Sequence, residues 1–83
     1  MCTNVIRRAA ITGSAKGPQG WFGVDTATVY FDHPFHAPFD HTLNIDLVNE
    51  AAGAPTRVAI ELNAASAREL VRQISAALEE GEP

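Results

Sequence analysis

The sequence predicts an α+β domain. A four-stranded antiparallel meander is followed by one C-terminal helix packed on one face of the sheet, in the order ββββα. Three observations predict it. Apolar and polar residues alternate over 41–48 and 56–62, the period of a strand with one buried face. From 64 to 80 the apolar residues switch to helical spacing. The connections between the strand-like runs are short, which favours antiparallel neighbours over crossovers.

Residues 3–12 read as the first strand, with Val5, Ala9 and Ile11 on one face and Ile6 and Ala10 on the other. Residues 13–20 hold three glycines and a proline, so neither regular period survives there and a loop is expected. The longest strand candidate is 21–32, rich in aromatic and β-branched residues. Both its faces become apolar near Val29, Tyr30 and Phe31. One helix covers one face of a sheet, so this strand points to contact with another subunit. Pro34 and Pro38 interrupt the ladder and make 33–40 a loop. In the third strand, 41–48, His41, Leu43, Ile45 and Leu47 share a face opposite Thr42, Asn44 and Asp46. Gly53 and Pro55 punctuate the turn before the fourth strand, 56–62, where Val58, Ile60 and Leu62 alternate with Arg57, Ala59 and Glu61.

The helix spans about 64–80. Ser66 and Glu69 fit a capping box at its start. Ala67, Leu70, Val71, Ile74, Ala77 and Leu78 form its apolar stripe. Glu79 and Glu80 sit near its end, unfavourably placed against the helix dipole. The stripe is expected to bury Leu70, Ile74 and Leu78 against Leu43, Ile45, Val58 and Ile60.

The 83 residues suffice for one domain, 1–83, with only a modest core. Such small domains commonly gain stability from partner subunits or a bound metal. A net charge of −4 argues against a nucleic-acid module. No run approaches the roughly 20 apolar residues of a membrane span, and the N-terminus lacks the apolar stretch of a signal peptide. One cysteine excludes an internal disulfide framework and fits a cytoplasmic setting. Gly13-Ser14-Ala15-Lys16-Gly17 lacks the spacing of a phosphate loop.

The chemically loaded stretch is 30–41, Tyr-Phe-Asp-His-Pro-Phe-His-Ala-Pro-Phe-Asp-His. It carries all three histidines and four of the six aromatics. An up-down meander places this loop, the start of the chain and the helix N-terminus at one end of the sheet. His33, His36 and His41 then become candidate metal ligands, with Cys2 as a fourth and Asp32 and Asp40 as carboxylates orienting the imidazoles. Nitrogen ligands suit a divalent transition metal such as Zn²⁺. The expected function is a small metal-binding protein, with the question of enzyme activity left open. The bland alternative is a set of turn and core-edge histidines. A third reading is metal-free acid–base chemistry by His33 or His41 with Asp32 or Asp40.

The words Met1-Cys2-Thr3-Asn4, Gly20-Trp21-Phe22, Asp32-His33-Pro34-Phe35-His36-Ala37-Pro38 and His41-x-Leu43-Asn44-Ile45-Asp46 resemble a family of short uncharacterised bacterial proteins. That family is classed as a domain of unknown function and is found mainly in actinobacteria. The resemblance spans essentially the whole chain and implies a small free-standing bacterial protein. It implies no activity, substrate or cofactor. Five arginines to one lysine fit a high-GC genome. Against the metalloprotein stands a non-catalytic, homo-oligomeric binding or assembly module. Its exposed sheet face would pair protomers, and a pocket between them, lined by Trp21, Tyr30, Phe35 and Phe39, would be open to a small-molecule ligand.

Overall fold

A computed structural model describes residues 5–53 and 56–82. Strands β1 (Val5–Gly17), β2 (Gly20–Asp32), β3 (Thr42–Val48) and β4 (Arg57–Leu62) form one open antiparallel sheet in the order β1-β2-β3-β4. A single 3₁₀ turn (Glu50–Ala52) lies between β3 and β4, and helix α1 (Ala64–Gly81) follows. The meander and its single closing helix are as the alternation and the short connections predict.

The glycine-rich stretch departs from expectation. Instead of a loop over 13–20, β1 continues to Gly17 and turns through Pro18-Gln19 into β2. The register shifts between Ala10 and Gly13, a β-bulge that absorbs the break in alternation. The glycines permit a close approach here. A Cβ on Gly17 would sit 3.4 Å from both a Phe22 ring carbon and the Thr56 methyl. The β1–β2 arm therefore curls toward the start of β4.

Cross-strand register sorts the side chains. Ala27, Val29 and Phe31 of β2 align with Leu47, Ile45 and Leu43 of β3, and these with Val58, Ile60 and Leu62 of β4. Across β2–β4 these positions are all apolar, and Arg7 of β1, opposite Val29, brings a cation to the outer edge of the same face. The opposite face carries Thr28 and Tyr30, then Thr42, Asn44 and Asp46, then Arg57, Ala59 and Glu61. Thr42 and Asn44 are buried on that polar face and satisfy each other: the Thr42 hydroxyl donates to Asn44 Oδ1 at 2.8 Å.

Helix α1 begins one residue after Asn63, whose Oδ1 accepts from the Ser66 N–H at 2.8 Å. Asn63 is thus the cap, in place of the expected Ser66–Glu69 box. Glu69 is occupied on the helix surface by Arg72 at 2.5 Å and Gln73 at 2.7 Å. The helix touches β3 and β4 on the apolar side of the sheet.

The expected joint burial of the stripe does not occur. Val71, Ile74 and Leu78 are 63, 52 and 58% exposed, and among the described residues Val24, at 7%, is the sole buried hydrophobic side chain. A straight helix and a twisted, curling sheet meet over a short length, and the remainder of both apolar surfaces stays open. No helix among the described residues is long and apolar enough to cross a membrane.

Candidate functional site

The histidine loop is built around hydrogen bonds that its own sequence does not advertise. At its start the Asp32 carboxylate accepts from the His33 N–H at 2.7 Å. His33 Nδ1 donates across the loop to the Asp40 carbonyl at 2.9 Å, which sets its tautomer and closes 33–40 into a ring. The His33 and His41 rings stack, centroids 4.7 Å apart, and His41 stacks in turn on Phe31 at 5.8 Å. These two imidazoles meet face to face rather than with nitrogens converging on a common point.

His36 is held elsewhere. The Glu61 carboxylate of β4 accepts backbone N–H groups from Phe35 (2.5 Å), His36 (3.0 Å) and Ala37 (2.8 Å), so the middle of the loop is tied to the far strand. Among the described residues no group of three or more His, Cys, Asp or Glu could hold a metal ion. This overturns the metal-binding function expected of His33, His36 and His41. Stacking takes the first and last imidazoles, and Glu61 draws the backbone of the middle one away. Of the two expected orienting carboxylates, Asp32 caps a backbone N–H and Asp40 contributes its carbonyl. Cys2, the fourth expected ligand, lies outside the described residues.

Glu61 has a counterpart at the opposite end of the sheet. Asp25 of β2 accepts from the N–H groups of Glu50 (2.8 Å) and Ala51 (3.1 Å), pinning the 3₁₀ turn. The backbone N–H of Ala37, then that of Phe35, hold the Glu61 carboxyl below its ordinary range, and those of Glu50 and Ala51 do the same for Asp25. A depressed folded-state pKa contributes stability present above the ordinary carboxylate value and lost as pH falls through the folded one. The Phe35, His36 and Ala37 amide resonances are therefore expected to shift together on acidification, with a midpoint below that of a free glutamate. Glu61→Gln is expected to abolish that transition, which amide NMR titration would read directly.

The aromatic pocket is not assembled within one chain. Trp21, 71% exposed, pairs with Lys16 at the hairpin end of β2, while Phe35, 88% exposed, belongs to the loop beyond the other end. What the fold does create is an apolar groove of about 290 Å³ between sheet and helix. Val29, Leu43, Ile45 and Leu62 form one wall, Ala67, Leu70, Val71 and Ile74 the other, and Arg68 also lines it. Its side chains are those the two periodicities select: every second residue of β2–β4 and the stripe of α1.

The family model that matches the chain describes a family of unknown function (DUF6295) and covers residues 1–83. No curated protein and no solved structure matches.

Proposed function

The chain belongs to the DUF6295 family of unknown function, and we propose that it is a non-catalytic assembly module that associates with further copies of itself. One observation carries the reading. The apolar face of the sheet and the apolar stripe of α1 border one groove, yet Val71, Ile74 and Leu78 are more than half exposed in a single chain. Burial of apolar area is the main force for folding and association, at about 25 cal/mol per Å². An 83-residue chain with this little fully buried core has further hydrophobic stabilisation to gain from a partner.

A second copy supplies matching apolar surfaces at the right concentration, as in most closed homo-oligomers. The histidine loop then has an architectural role, its stack and the Glu61 clamp fixing the edge of the apolar face. The lone cysteine and the excess of arginine over lysine support a cytoplasmic setting and an actinobacterial source. Sedimentation equilibrium of untagged protein tests the reading. A dimer or higher oligomer at micromolar concentration is expected; a monomer throughout that range would defeat it.

A further inference from the structure

We infer that two copies join edge to edge through β4, antiparallel, with the two-fold axis at Ala59, so that two four-stranded sheets become one continuous sheet. This rests on the self-assembly reading and names the strand, orientation and register that carry it.

The edge of β4 is open. β4 is an outer strand, and among the described residues its backbone makes no hydrogen bond beyond the ladder with β3. Arg57, Ala59 and Ile60 are exposed. Outer strands are commonly kept from pairing by a bulge, a proline or a lysine. β1, at the other edge, has both a bulge and Lys16. β4 has none of the three and runs in unbroken register with β3 from Arg57 to Leu62.

Parity and charge fix the register. Directly opposite residues of antiparallel neighbours share a face. A strand paired with its own copy therefore keeps both apolar faces on one side only when the axis falls on a residue. An axis on Ala59 sets Val58 against Ile60 of the second copy on the apolar face. On the polar face it sets Arg57 against Glu61, each contact occurring twice by symmetry. Small Ala59 meets its own counterpart, and no like charges are opposed. An axis on Val58 or Ile60 instead sets both charges against uncharged residues. Arg57 is available for the contact: it holds its own Asp46 only at 3.5 Å, and its side chain is 60% exposed. Glu61 meets it as a carboxylate, held in place by the Phe35, His36 and Ala37 amides. Opposite charges in facing positions stabilise a sheet, and the added backbone ladder supplies the rest of the affinity.

Amide hydrogen exchange of the unaltered protein tests the edge. Every second amide from Arg57 to Leu62 is expected to slow about tenfold as concentration rises through the dimerisation range, while the outer amides of β1 stay unchanged. A dimer without that protection, or with it on β1, would overturn β4 pairing and leave self-assembly standing. A monomer at every concentration would instead overturn self-assembly itself. Ala59→Lys tests the register, because it opposes two ammonium groups across the axis. In a single chain Asp46, directly opposite on β3, faces the new cation, so far-UV circular dichroism is expected to be unchanged. Sedimentation equilibrium is expected to show dimerisation weakened about tenfold; an unchanged Kd would refute the axis. In a Cys2→Ser background, Ala59→Cys is expected to form its self-disulfide on oxidation while Ala10→Cys on β1 stays reduced. The opposite outcome would place the contact on β1.

Discussion

Ile74→Glu is expected to reduce the protein to monomers. In a single chain residue 74 is 52% exposed, so a carboxylate there costs an isolated helix little, on the order of 0.5 kcal/mol. In the proposed assembly it lies on the apolar surface that a second copy covers. Each copy loses about 2 kcal/mol of aliphatic burial there, and symmetry counts the loss twice. The resulting 4 kcal/mol or so is roughly a thousandfold in Kd. Sedimentation equilibrium should show the change directly. Thermal unfolding should lose its dependence on protein concentration, since mass action no longer stabilises the folded chain. Ala65→Glu, on the opposite side of the helix, is expected to leave both measurements unchanged. Equal behaviour of the two variants would remove α1 from the interface.

The second large effect belongs to the polar face. Thr42 is fully buried and Asn44 is 2% exposed, and each is the other's side-chain partner. Asn44→Ala strands the Thr42 hydroxyl and opens a small void, an expected loss of about 2 kcal/mol in urea denaturation. Thr42→Val strands Asn44 Oδ1 with a cost of similar order. Replacing both, Thr42→Val with Asn44→Leu, is expected to recover much of the loss, because no unsatisfied group remains. Strict additivity in the double variant would show that the bond is not what keeps these residues buried.

Such a pair also marks how far the sequence could be read. The alternation of Leu43, Ile45 and Leu47 with Thr42, Asn44 and Asp46 identifies β3 and both its faces, because a strand's period is local. It places Thr42 and Asn44 on the polar side and gives no sign that they are buried there. The stripe of α1 is legible for the same reason, but its destination is not: periodicity marks what must be covered, never what covers it. Gly13 and Gly17 read as loop because propensity penalises glycine in strands, whereas a bulge and the close approach of Phe22 and Thr56 make the missing side chain useful.

The histidine cluster failed as a metal site for a non-local reason. Glu61, the residue that commits the backbone of His36, lies 25 residues away on another strand and reads simply as the polar half of an alternating pair. Asn63 is masked as the cap in the sequence because Ser66, three residues later, heads a capping-box motif of its own. Legibility therefore ended where the deciding partner was distant in sequence.

The bulge in β1 carries a further consequence, for solubility. β1 is an outer strand of an open sheet, and its unpaired edge could template fibril growth by adding strands from neighbouring molecules. The break in register between Ala10 and Gly13 bends that edge, and Arg7 and Lys16 place like charge along it, while Arg8 is ion-paired with Glu50. A neighbouring edge would have to match the bend and bring its own cations alongside. Propagation strand by strand is thereby disfavoured, and an attraction confined to one face of the molecule closes on itself after two copies instead of extending into filaments.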